Sequence, residues 1–525
     1  MNHNSMDTIL KPGSNCWDIA EVSKTGLLVD ARDYYRAFYH AARSAKSYIL
    51  ISGWQFDSNV VLLRGEDAKN AGEEPALLAF LNNLCEQNSG LRIFILAWDF
   101  SVIYSLDREW FQELYINWTT NERLKFCFDQ CDSYDACHHQ KFVVIDGKIA
   151  FVGGLDLCSA RWDERDHRVD NPLRVNADGS SYRSFHDLQS CHFGPVARKL
   201  AELFKTRWKV AGGEDLDLPS EPKETPGEFE LTIPIKAKRV AISRTQSSIG
   251  CGGEPVREIR SLLLDAIDAA AHLIYIENQY FSSEALFKAL LNRMKDKSRS
   301  PLEVVLIIAK DADAFLEQLS IGIAQTRVIR RLKEAALETG HCLGIYHPAS
   351  AGADGEELPT YIHSKLFLVD DRFLSVGSAN MNNRSMGYDT ELNVSWEAAA
   401  TETELVESIR EARVNLMAEH TGLEPAACAD LRRVEGLVRY LNSIADNGSS
   451  RLRHHPVRSI AEEYEWIASL LPDGLPFDPK GPADPETFYE AMSVKEDSFF
   501  TRGVTSLKTW LQNLGQISTA DKRET

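Results

Sequence analysis

Two stretches of this 525-residue chain carry the same three polar residue types at the same spacing: His139, Lys141 and Asp146, then His363, Lys365 and Asp370, each reading His-x-Lys-x4-Asp. On an extended strand, positions i and i+2 share a face. Each imidazole is therefore expected to project beside its ammonium, from runs otherwise made of Phe142, Val143, Val144 and Ile145, or Leu366, Phe367, Leu368 and Val369. Such a pair is costly on an apolar sheet unless something anionic uses it. One copy would be an ordinary edge strand; two copies at matching places point to a shared site for an anion. The flanks agree. Gly153-Gly154-Leu155-Asp156 follows the first copy and Gly377-Ser378-Ala379-Asn380 the second. Small residues allow close backbone approach to a ligand. Ser378 and Asn380 supply neutral donors for phosphate oxygens, and Asp156, standing where the second copy has Asn380, is grouped with them as phosphate-binding.

The elements that must hold these residues alternate between helix and strand. Helical spacing runs over 32–46 and 75–86, and strand patterns over 48–51, 91–98, 124–128, 142–145 and 150–152. A Gly-, Pro- and acid-rich stretch over 211–228 reads as a linker. The order then restarts: helix over 256–271, strands over 273–276 and 303–308, helix over 327–337, strands over 342–346, 366–369 and 373–376. HQKFVVIDGKIAFVGGLDL at 139–157 lies over HSKLFLVDDRFLSVGSANM at 363–381, and an aromatic recurs upstream as Trp54 and Tyr280. The expected fold is α/β: two duplicated sandwich halves, each a mixed sheet flanked by helices, related by a pseudo-two-fold axis. The halves are placed at 1–228 and 229–423. A helical extension is placed at 424–525, with helices over 431–444, 460–471, 487–492 and 504–514.

Composition narrows the class. With 58 basic and 77 acidic residues the net charge is −19, which disfavours a polynucleotide track, so no nucleic-acid partner is expected. No apolar run reaches the length of a membrane span, and the first 25 residues lack a signal-peptide pattern. The expected location is cytoplasmic by default, with secretion by a signal-peptide-independent route as the alternative. Ten cysteines over this length suggest free thiols.

At these motifs the chain resembles the phospholipase D superfamily, which carries paired His-Lys-Asp motifs. GGLDLCSARWDERDH at 153–167, FHDLQSCHFGPVARKLAELFKTRW at 185–208, YIENQYF at 275–281 and GSANMNNRSMGYDTEL at 377–392 resemble its choline-phospholipase branch. The resemblance runs over roughly residues 30–420 and departs from the second copy at Gly154 and Asp156. It implies cleavage of the distal phosphodiester of a glycerophospholipid to phosphatidic acid and free headgroup, with transphosphatidylation where an alcohol competes with water. It implies His139 as nucleophile, forming a phosphohistidine, and His363 as general acid/base. Lys141 and Lys365 neutralise the phosphoryl oxygens, Asp187 orients His363 and Glu391 orients His139. Asp146 and Asp370 are expected to shape their turns. No cofactor and no metal are implied. The partner is a phospholipid at a membrane surface, and a monomer holds both motifs. A cardiolipin-synthase-type phosphatidyl transferase and a superfamily phosphodiesterase or nuclease remain as alternatives.

Two other groupings stand out. Cys127, Cys131, Cys137, His138 and His139 lack the paired spacing of zinc sites. Trp54, Trp98, Trp162 and Tyr280 are candidates for the pocket wall, where aromatic faces could meet a choline headgroup or line an acyl groove.

Overall fold

In the computed structural model the chain divides into a unit spanning Met1–Gly481 and a second unit, Pro482–Thr525. The structure describes residues 8–456 apart from 72–75, 99–111, 130–135, 220–228, 248–253, 312–314, 353–354, 425–427 and 449. The second unit and the helices expected over 460–471, 487–492 and 504–514 lie outside the described residues.

Two mixed sheets carry the described part. The first is eight-stranded, in the order Ile233–Ile235, Lys24–Val29, Leu188–Phe193, Ile149–Gly153, Phe142–Ile145, Tyr48–Gly53, Arg92–Trp98 and Leu124–Asp129. The second repeats that order with Arg239–Gln246, Glu391–Glu397, Phe373–Gly377, Leu366–Val369, Leu273–Asn278, Glu303–Ile308 and Cys342–Ala351. Strands that follow helical crossovers pair in parallel, while the motif hairpins pair antiparallel. All four residues of Phe142–Ile145 and of Leu366–Val369 are buried. This explains why these strands read as continuous apolar runs rather than alternating ones: both faces are buried. The helix Asp30–Arg43 shows the same logic at its own period, burying Tyr34, Tyr35, Phe38, Ala41 and Ala42.

The halves exchange edges. Asp18–Glu21 leaves the first sheet and pairs antiparallel with Arg239–Gln246 of the second, Ile19 opposite Ala241. In return Ile233–Ile235 pairs with Lys24–Val29, Ile233 opposite Leu27. Each short strand immediately precedes the first long strand of its own half, so the exchange is reciprocal. The extension is helical over Leu437–Asn447 and then adds the strand Leu452–His454 to the edge of the second sheet. No helix among the described residues is long and apolar enough to cross a membrane.

Candidate active site

The two motifs meet through backbone pairing between the halves. His138 bridges Thr390, with the His139 N–H donating to the Thr390 carbonyl at 2.8 Å. Tyr361–Ile362 runs parallel to Phe185–His186, and the His363 N–H donates to the His186 carbonyl at 2.9 Å. Each ladder sets one half's imidazole beside the other half's carboxylate. The residues between histidine and lysine therefore belong to a connection; the strands begin only at Phe142 and Leu366.

The resulting pairs are tight. His363 Nδ1 lies 2.6 Å from Asp187 Oδ2. His139 Nδ1 lies 3.1 Å from both Glu391 oxygens. Both carboxylates are fully buried, whereas the His139 and His363 side chains keep 13% and 11% exposure, enough to meet a ligand. Bonding Nδ1 to a carboxylate leaves Nε2 of each ring for chemistry. Each lysine folds back on its own motif: Lys141 Nζ donates to the His139 carbonyl and Lys365 Nζ to the His363 carbonyl.

Burial dominates the electrostatics. It pushes Asp187 up to about 6, against the pull of Lys365, and Lys365 down to about 7. His363 is driven well below its ordinary value, first by burial and then by Lys365, Arg161, Lys141 and His139. The free site thus holds a neutral His363 among cations. A bound phosphodiester would offset those cations and favour a proton on His363.

The remaining candidates separate. The Ser378 hydroxyl donates to Glu391 and accepts the Leu392 N–H at 3.0 Å. Its one proton is spent, so it holds Glu391 rather than offering a donor to phosphate. Asp156 pairs with Lys141 at 3.2 Å and accepts the Trp54 N–H at 2.9 Å. A carboxylate in that position holds Lys141 and has no proton to donate when ionised. Asn380 is buried and its side-chain oxygen has no hydrogen-bond partner; only its amide nitrogen could donate to an anion. Asp146 accepts the N–H groups of Lys46, Ser47 and Tyr48, and Asp370 those of Ala271, His272 and Leu273, all at 2.7–2.8 Å. Both have φ of 52°. They tie each hairpin turn to the start of the neighbouring strand.

Of the aromatic candidates, Trp54 stacks on Trp98 at 5.9 Å and presents an edge contact to His139 at 6.5 Å. Trp162, expected at the pocket wall, is 1% exposed and packs in the core under Arg64. Tyr280 is buried, and its hydroxyl accepts from Gln279. The cysteine grouping does not assemble among the described residues: His138 pairs with Asp129 at 2.9 Å, His139 with Glu391, and Cys131 lies outside them.

Several further residues take part. Ser385 donates to Glu391 at 2.6 Å. Behind His363 lies a buried set of Asp30, His167, His186 and Glu419, whose donor atoms all fall within 4.8 Å of one another. His167 and His186 bond Asp163 and Glu277 through their other nitrogens, both at 3.0 Å. These four could hold a divalent cation. With the imidazoles protonated they form ion pairs, and His167 is pushed up to about 9 with His186 also raised, chiefly by the facing carboxylates against burial. A signal existed for part of this set: Asp163 and His167 stand at i, i+4, and His186 directly precedes Asp187.

Comparison with known proteins fits this geometry. A family model described as "Phospholipase D" matches residues 41–234, and one described as "Cardiolipin synthase, PLD-like domain" matches residues 263–412. Phospholipase D alpha 2 of Oryza sativa subsp. japonica is 26% identical over 487 residues, covering 67% of this chain and 59% of that protein. Phospholipase D alpha 3 of Arabidopsis thaliana is 25% identical over 547 residues, covering 78% of this chain and 66% of that one. The chain therefore spans about three fifths of the rice relative. Among solved structures, phosphatidylserine synthase of Haemophilus influenzae aligns with a TM-score of 0.49 at 14% identity, over 82% of this chain and 95% of that one. The family models fall one on each copy of the repeat, and the relatives run through both, so this chain belongs to the phospholipase D superfamily.

Proposed function

We propose that this protein is a phospholipase D, cleaving the distal phosphodiester of glycerophospholipids to phosphatidic acid and the free headgroup alcohol. The observation that carries the reading is the crossed pairing of His139 with Glu391 and of His363 with Asp187, flanked by Lys141 and Lys365. His139 Nε2 attacks phosphorus; the P–N bond forms as the bond to the headgroup oxygen breaks, and His363 gives that oxygen its proton. His363 then takes a proton from water, whose oxygen displaces His139 and releases phosphatidate. Lys141 and Lys365 neutralise the phosphoryl oxygens through both steps, and the Asn380 amide nitrogen donates a hydrogen bond to them. Glu391 and Asp187 hold the imidazoles in the required tautomers and stabilise the imidazolium forms.

On this reading the catalytic halves are 1–228 and 229–423, the extension is 424–525, and one chain supplies both histidines of the site. Contact with a lipid surface is supported by Leu114, Tyr115 and Trp118 on the helix Gln112–Thr119, which are 49%, 55% and 81% exposed. Amphipathic aromatics favour the headgroup level of a bilayer.

The test is incubation with mixed phospholipids and ethanol. Ethanol competing with water at the phosphohistidine gives phosphatidylethanol, which should appear with the wild type and vanish with His139→Ala. Cleavage of oligonucleotides but not of lipid would replace this reading with the nuclease one.

A further inference from the structure

The two walls of the site differ in a way that bears on the headgroup. On the His139 side stand Trp54 and Trp98 with Lys141. On the His363 side stand Phe185, 5.3 Å from the imidazole, and Tyr361, stacked on it at 6.3 Å. Both of these rings already carry guanidinium groups: Arg161 lies 4.9 Å from the Phe185 centroid and Arg183 lies 3.7 Å from that of Tyr361. Arg165, Arg174, Arg207 and Arg413 each hold a carboxylate. Arg161 does not. Among the described residues its guanidinium has no ion-pair partner, and its one hydrogen bond is a 3.4 Å contact to the neighbouring Ala160 carbonyl. It is partly buried, and its charge is felt by both His363 and Lys365.

Displacement at phosphorus keeps the attacking and leaving atoms roughly in line. With His139 attacking and His363 protonating the leaving oxygen, the headgroup lies against the His363 wall. We propose that Arg161 selects the headgroup: the site takes phospholipids whose alcohol bears an anionic group, such as a carboxylate, over those bearing only an ammonium. The unpaired guanidinium offers charge-assisted hydrogen bonds to an anion. The same charge repels the cation that bare aromatic faces would attract. The inference rests on the proposed function and on its order of histidine roles.

Serine and ethanolamine headgroups differ by one carboxylate, so phosphatidylserine and phosphatidylethanolamine can compete within the same neutral-detergent micelles and share one surface charge. The wild type should release serine over ethanolamine by about tenfold in kcat/KM. Arg161→Gln keeps the aliphatic stem against Phe185 and should bring the ratio close to one; Arg161→Lys should keep most of it. Equal release by the wild type overturns the inference whatever the variants do. A ratio unchanged in Arg161→Gln, with both rates lowered together, also overturns it and places Arg161 on the transferred phosphoryl group. If the wild type releases neither headgroup, the phospholipase reading itself fails; if it releases both and the ratio ignores Arg161, that reading stands without this inference.

Discussion

Asp187 and Glu391 face the same task in different surroundings. Ser378 and Ser385 both donate to Glu391, whereas no side chain can fit at the equivalent place beside Asp187. A Cβ on Gly154 would come within 2.2 Å of Asp187 Oδ1. This explains why the first copy has Gly154 where the second has Ser378, a difference visible in the sequence but without a cause there. Gly154→Ala should therefore displace Asp187 and lower kcat by about 10²–10⁴, the range for loss of an aligned acid/base, while circular dichroism stays native. The pH profile of kcat/KM should be narrow. It falls on the acid side as Asp187, raised to about 6 by burial, takes up a proton, and on the alkaline side as Lys365, lowered to about 7 by burial, loses one. Asp187→Asn should remove the acid limb at a much reduced plateau. An alkaline limb lying above pH 9 would show that Lys365 is not its source.

The turn carboxylates make the clearest case among the elements. Asp146 and Asp370 each accept three backbone N–H groups. Truncation removes those bonds, each worth about 0.5–1.5 kcal/mol net where water can replace the carboxylate. Asp370→Ala should lower the denaturation midpoint, and the residual activity at low temperature should exceed that of any His363 variant. The motif strands were legible because burial on both faces makes an apolar run: 142–145 and 366–369 coincide with the observed strands. The strands Asp18–Glu21 and Ile233–Ile235 were not legible, because they are short and their partners lie in the other half, where no local pattern registers them. The site divides in the same way. His139, Lys141, His363 and Lys365 announce themselves by repetition, whereas the bonds of Ser378 to Glu391 and of Asp156 to Lys141 are partners that only folding supplies.

For the molecule as a whole, reciprocal edge strands and the two cross-half ladders mean that a chain cut between the halves should still behave as one body. A protease site engineered into 220–228 and cleaved after folding should leave both fragments co-eluting on gel filtration, with activity retained. Separation without denaturant would contradict the strand pairing. Activity that scales linearly with concentration, and a sedimentation coefficient of one chain, would support the single-chain catalytic unit.

The exchanged strands also fix an order of events during synthesis. Lys24–Val29 pairs with Leu188–Phe193 on one side, but its other neighbour, Ile233–Ile235, is more than 200 residues downstream. Asp18–Glu21 has no partner until Arg239–Gln246 has been made. A ribosome that has finished only the first copy therefore carries a sheet with an open edge, the kind of surface that templates aggregation. At about 5–20 residues per second the exposure lasts seconds, long enough for a nascent-chain chaperone to matter. The duplication is also locked in. Neither copy can be deleted without leaving the survivor an unpaired edge and an imidazole that has lost its carboxylate.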